Sequence, residues 1–268
     1  MVDPAYYLEL LSLLDPGATM YMTSNLKDFY LNPDKWEPIL KNPNVYVATS
    51  FQYGNGRRWD RDTIYSEEKF IDVFTMFKNR IGRTPSFIAV IDESNEDTAF
   101  KTVELAKKLG TSCKLNNATK LGKQKNHYPR YKMFQIYLGL IDNGLAEYEV
   151  NCLERSIGRC PINIRRLCKS VIRSIYIDSD NNPRYSYCDK IDIGLPIETI
   201  RPEPIQHVLS PEEYISEKCG ECELINICNA CDSNVEQAKE FPEYCEEMIK
   251  LKTRIIEAGW ELGDRGNL

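Results

Sequence analysis

From residue 5 to about 125, short apolar runs alternate with amphipathic stretches, the pattern of strands and helices taking turns in a parallel sheet. Ala5 to Leu14 (AYYLELLSLL) reads as a helix, with Pro4 suited to its first turn and Asp15-Pro16-Gly17 ending it. Ala18 to Ser24 reads as a strand, Asp34 to Lys41 as a short helix, and Val45 to Gln52 (VYVATSFQ) as a second strand. Ser66 caps a helix that runs to Ile81, and Pro85 to Ile91 is the next strand. Glu96 to Leu109 has helical periodicity and stops at Gly110, ahead of a strand from Ser112 to Leu115. About four strands and four helices result, so this portion is expected to be an α/β barrel or an open α/β sheet; four βα units do not close an eight-fold barrel.

After about residue 125 the pattern changes. One helix, Tyr131 to Asp142, precedes a cysteine-rich region of short strands and turns; Ser174 to Ile177, DSDNNP and RYSYC read together as a hairpin. A domain boundary is expected near residues 145 to 152, dividing the chain into residues 1–145 and 146–268.

Composition narrows the function classes. A chain of 268 residues, 42% hydrophobic and 28% charged, can bury a sizeable core. Its net charge of -6 argues against a phosphate-binding surface, so no nucleic-acid partner is expected. Lys114 to Lys132 is locally basic and reads as a solvated loop before a helix. The opening MVDPAYYLELLSLLDPG has neither a positive n-region nor a small-residue cleavage site, and no apolar run reaches a membrane span. A cytoplasmic protein with no membrane partner is the expectation.

The ten cysteines carry the chemistry, and nine of them lie beyond residue 150. With no secretory signal, cysteines in C-x-x-C pairs point to thiolate metal ligands rather than disulfides. The sharpest run is Cys219-x2-Cys222-x5-Cys228-x2-Cys231, with Cys245 following near the start of a helix. Zinc ribbons separate their two pairs by a longer loop than the five residues here. Adding Cys160, Cys168 and Cys188 gives eight cysteines, enough for two four-cysteine centres. Cys113 and Cys152 stand alone and read as buried core thiols. The alternative left open by the same residues is one Zn²⁺ held by Cys219, Cys222, Cys228 and Cys231 in an interaction module without catalytic activity.

In order and spacing these cysteines resemble the SPASM domain, the C-terminal extension of many radical SAM enzymes. Its pattern is C-x9-15-G-x4-C, then C-x2-C-x5-C-x3-C, then a final Cys. Here Cys168-x14-Pro183-x4-Cys188 matches the first part with Pro for Gly, and Cys219, Cys222, Cys228, Cys231 and Cys245 match the rest with x2 for x3. The resemblance implies one [4Fe-4S] cluster on Cys219, Cys222, Cys228 and Cys245, and another on Cys168, Cys188 and Cys231, with Cys160 as its fourth ligand. It also implies that the first half is a partial radical SAM-like (β/α) barrel, strands three to six. On that alignment MTSNL ends the family's third strand, placing Ser24 and Asn25 there, VYVATSFQ puts Ser50 at a position that contacts S-adenosylmethionine, and FIAVIDESN puts Asn95 at a similar strand end. Ser and Asn at strand ends also serve as ordinary turn and cap residues.

No C-x3-C-x2-C occurs in the sequence, nor a Gly-Gly-Glu-Pro-like segment. In the family the first supplies the ligands of the cluster that cleaves S-adenosylmethionine, so that cofactor is expected only with a complementing segment. The resemblance implies a peptide or protein substrate and a second chain bringing the missing cluster; a degenerate remnant or a truncated reading frame fits the same absence. His127 and His207, the only histidines, belong to no ligand-spaced motif, and Glu236 to Glu247 reads as a solvated helix face around Cys245.

Overall fold

The computed structural model describes residues 3–54, 57–118, 128–152, 175–177, 183–185 and 237–259. The chain divides into two compact units, Met1–Tyr128 with Asp142–Leu153, and Pro129–Ile141 with Glu154–Leu268.

The first unit is α/β. Its strands are β1 (Met20–Ser24), β2 (Val45–Ser50), β3 (Ser86–Ile91) and β4 (Cys113–Asn117). They form one parallel sheet in the order β1-β2-β3-β4. The helices are α1 (Pro4–Leu13) before β1, α2 (Lys27–Leu31) and α3 (Pro33–Leu40) before β2, α4 (Glu67–Ile81) before β3, and α5 (Ala99–Leu109) before β4. Parallel neighbours joined in sequence put their crossover helices on one side of a sheet.

Local chemistry sets these boundaries. The Asp3 carboxylate accepts from the Ala5 N–H ahead of Pro4 in the first turn of α1. Ser66 does the same for Lys69 at the start of α4, which ends at Gly82 with φ 77°. Gly110, at φ 65°, closes α5. The periodicity that predicts a helix from Glu96 begins instead as a 3-10 turn, Glu96–Thr98, before α5 proper. The sequence pattern misses α2, a five-residue helix entered through Leu26 at φ 60°.

Alternation along the strands separates two faces. Met20, Met22, Val45, Phe87, Ala89, Ile91, Cys113 and Leu115 are buried on the helix side, where Phe70 of α4 meets Phe87 and stacks on Phe51 at 4.5 Å. The other face is open near β1: Tyr21 and Tyr46 are 80% and 51% exposed, their rings stacked at 5.3 Å. A parallel sheet normally has both faces covered. The basic segment from Lys114 is not wholly a loop, because residues 114–117 belong to β4.

In the second unit α6 (Arg130–Asp142) contributes Phe134, whose ring meets Tyr244 of α7 (Glu243–Glu257) at 5.2 Å. Strands β5 (Ile175–Ile177) and β6 (Pro183–Tyr185) pair antiparallel, as the hairpin reading expects. Among the described residues no helix is long and apolar enough to cross a membrane.

Candidate functional site

The carboxyl ends of β1, β2 and β3 fall on one side of the first unit, because the strands are parallel and adjacent. Ligands of parallel α/β sheets gather at that end. Ser24 and Asn25 lie at the end of β1, where the Ser24 hydroxyl accepts from the Leu26 N–H at 3.0 Å and the Asn25 side chain accepts from the Lys27 N–H at 3.1 Å. Both act as turn residues that open α2. Asn95, 2% exposed, also works internally: it accepts from the Asp92 N–H and donates to the Val90 carbonyl, pinning the turn after β3. Gly54 lies beside it, where a Cβ would meet the Asn95 Cβ at an ordinary 3.8 Å; its φ of 87° is what suits glycine.

Ser50 differs from these three. It is buried, makes no side-chain hydrogen bond among the described residues, and alternates onto the open face shared by Tyr21 and Tyr46. Its neighbour Thr49 faces the helices, and the Thr49 hydroxyl is buried without a partner. Gln52 extends the β2–β3 pairing by accepting from the Val90 N–H. Around the end of β2, Tyr53 donates to Glu67 at 3.0 Å while Lys101 sits over the Tyr53 ring at 4.0 Å. Burial, and next the Glu67 carboxylate, push the Tyr53 phenol well above its usual range, so it stays a donor.

A short turn, residues 57–65, covers the end of β1. Asp60 accepts from the Asp62 and Thr63 N–H groups, and the Tyr65 hydroxyl donates to the Asn25 carbonyl at 3.2 Å. Trp59 takes Lys69 over its ring at 5.5 Å and Lys27 at 5.9 Å. Arg57 Nε is buried in this turn without a partner, and burial lowers the basicity of its guanidinium.

At the far edge of the sheet, Glu149 forms a parallel bridge to Cys113 and is wholly buried. Its carboxylate accepts from the Leu115 N–H at 2.7 Å and from the Cys152 N–H, while the Asn151 amide donates to the Leu115 carbonyl at 2.7 Å. Cys113 and Cys152, at 0% and 1% exposure, are core residues there; burial first, and Glu149 second, push the Cys113 thiol far up and keep it protonated. No sequence signal pointed to Thr49, Arg57 or Glu149 with Asn151, since each acts through a tertiary neighbour.

Of the cysteines read as ligands, Cys160, Cys168, Cys188, Cys219, Cys222, Cys228 and Cys231 lie outside the described residues. Cys245 is exposed in the first turn of α7. The acidic stretch beside it is not all solvated: Glu247 is 8% exposed and bonds Lys250 at 2.9 Å, because it falls on the face of α7 that carries Tyr244, Met248 and Leu251. Among the described residues no three His, Cys, Asp or Glu side chains gather as a metal site. No family model matches the chain, and neither a curated protein nor a solved structure matches it.

Proposed function

We propose that this chain is an iron-sulfur protein of the radical SAM/SPASM type, a two-cluster component that transfers electrons or holds a peptide or protein substrate. The observation that carries the reading is the cysteine series Cys219-x2-Cys222-x5-Cys228-x2-Cys231 with Cys245, preceded by Cys168 and Cys188. Cys219, Cys222, Cys228 and Cys245 hold one [4Fe-4S] cluster; Cys160, Cys168, Cys188 and Cys231 hold the other. Cys245 suits a ligand role, being an exposed thiol in the first turn of a 15-residue helix. Cys113 and Cys152 do not, being buried at the β4 edge, which leaves the eight others for the clusters.

The first unit supports the same reading as a partial (β/α) barrel. Its strands follow one another in consecutive order, and its open face carries Ser50 at the carboxyl end. Ser50 is the candidate contact for S-adenosylmethionine, whereas Ser24, Asn25 and Asn95 shape the turns around it. Residues 1–268 hold no C-x3-C-x2-C, so the cluster that cleaves that cofactor would come from outside them, from a complementing segment or chain.

Iron and acid-labile sulfide measured on the anaerobically purified full chain, with a visible spectrum, test the proposal. About eight of each per chain and a broad band at roughly 400 nm are expected. A colourless protein holding one zinc would replace this reading with a four-cysteine Zn²⁺ module, since Zn²⁺ is d¹⁰.

A further inference from the structure

We infer that Arg57 anchors a carboxylate of a ligand bound at the carboxyl end of the sheet. The inference stands on the first unit alone and does not rest on the iron-sulfur reading. Residues 57–65 pair with themselves: the Tyr65 N–H donates to the Arg57 carbonyl, the Trp59 N–H to the Thr63 carbonyl, and Arg58 bridges Ile64 antiparallel. Side chains alternate along such a ladder, so Arg57, Trp59 and Tyr65 share one face while Arg58 and Ile64 take the other. The face with Tyr65 is the inner one. Tyr65 is 1% exposed, its ring against Phe51 and Trp59 and its hydroxyl on the Asn25 carbonyl at the end of β1. Arg58 and Ile64 are exposed, whereas Arg57 is half-buried on the side that meets the strand ends. Ligands of parallel α/β sheets bind at that end.

What the guanidinium lacks selects the ligand. The lysines around the Trp59 ring have carboxylates of their own, Lys27 at 3.9 Å from Asp60 and Lys69 at 3.6 Å from Asp72. Arg57 has no ion pair or side-chain hydrogen bond among the described residues, and its Nε is buried without an acceptor. Burial alone lowers its basicity, with no neighbouring carboxylate to offset it. A buried cation left unpaired is costly, and an anion that pairs with it removes that cost. The orphaned Nε–H and the adjacent Nη N–H point the same way and fit the two oxygens of one carboxylate side-on. A single charge also suits a carboxylate better than a phosphate dianion. The helix start that follows offers the dianion no help, because α4 is capped by Ser66 and carries Glu67 and Glu68 in its first turn. Arg58 and Arg61, exposed in the same turn, draw anions to this spot in a chain of net charge -6.

Nuclear magnetic resonance of the ¹⁵N-labelled full chain tests this, following arginine Nε–H and tryptophan indole N–H signals. The probes are acetate and a glutamyl tripeptide blocked at both ends, each titrated against chloride at constant ionic strength. The Arg57 Nε–H signal, assigned through its loss in Arg57→Lys, is expected to move downfield and saturate, while those of the exposed Arg58 and Arg61 stay in place. The tighter of the two probes names the source of the carboxylate, a small molecule or a peptide side chain. The Trp59 indole signal, on the same face, reads affinity in the variants. Arg57→Gln is expected to weaken binding about tenfold or more, and Arg57→Lys, which keeps the charge and loses the side-on pair of donors, by less. An Arg57 signal that neither probe moves overturns the inference, and that reading needs no variant to fold as the parent does. Equal response to chloride, a stronger response to inorganic phosphate, or full-strength binding in Arg57→Gln would overturn it as well. Iron content is unaffected in every case, which separates this failure from failure of the cluster proposal.

Discussion

At one edge of the sheet, Leu115 of β4 has its N–H taken by the Glu149 carboxylate and its C=O by the Asn151 amide; at the other, Tyr21 and Thr23 of β1 turn the same groups outward with no strand beside them among the described residues. Both edges present the same hydrogen-bonding groups, and neither can leave them unmet in a dry environment. At β4 the chain returns through residues 146–152 and supplies side chains in place of a strand, at the cost of burying a carboxylate. At β1 nothing described returns, and the exposed Tyr21 and Tyr46 rings stack on the open face beside it. The difference teaches that a sheet edge can be closed from within by side chains of a returning segment, or left short and solvated.

Breaking the closed edge should have the largest effect. Glu149→Ala leaves the Leu115 and Cys152 amides buried without acceptors, and is expected to cost about 3–5 kcal/mol, read by urea unfolding monitored through circular dichroism. Asn151→Leu removes only the donor to the Leu115 carbonyl, and should cost about 1–3 kcal/mol in the same assay. If both cost under about 0.5 kcal/mol, the β4 edge is not sealed by these side chains.

That seal was invisible in the sequence because Glu149 and Asn151 act on a residue 34 and 36 positions earlier. The sheet itself was legible where apolar positions alternate cleanly: Ser86–Ile91 is a strand buried at every second residue, and Glu67–Ile81 is a helix with Phe70, Val73, Phe74 and Phe77 on one face. The end of β4 was harder, since Asn116 and Asn117, beyond the strand read from Ser112 to Leu115, look like loop residues but lie in the strand. At the candidate site the residue types were legible and their duties were not. Asn95 looked available at a strand end, yet both ends of its amide are spent on the Asp92 N–H and the Val90 carbonyl. Glu247 looked solvated in an acidic run, yet helical phase turns it inward beside Met248.

Smaller effects sharpen the contrast between edge and interior. Thr49→Val keeps the shape of a buried side chain whose hydroxyl has no partner, and should stabilise the chain by about 1 kcal/mol in urea unfolding. Tyr21→Lys at the open edge should change stability by less than about 0.5 kcal/mol in urea unfolding, in contrast to the Glu149 result. A small pH effect comes from the helix layer behind β1, where hydrogen bonds from Arg80, and next Lys41, hold the Glu37 carboxyl below its usual pKa. A depressed folded-state value stabilises above the unfolded pKa and is lost as pH falls through the folded one. Thermal unfolding followed downward through the carboxylate range should therefore fall slightly less steeply for Glu37→Gln than for the parent chain.

The central claim is that the cysteine-rich half holds two iron-sulfur clusters, and Mössbauer spectroscopy of the full chain, prepared with ⁵⁷Fe under anaerobic conditions, tests it most directly. The expected spectrum places essentially all the iron, about eight atoms per chain, in [4Fe-4S] clusters, with about half of it lost in Cys219→Ser and in Cys168→Ser alike. A chain that takes up no cluster iron and binds a single zinc instead would contradict the claim.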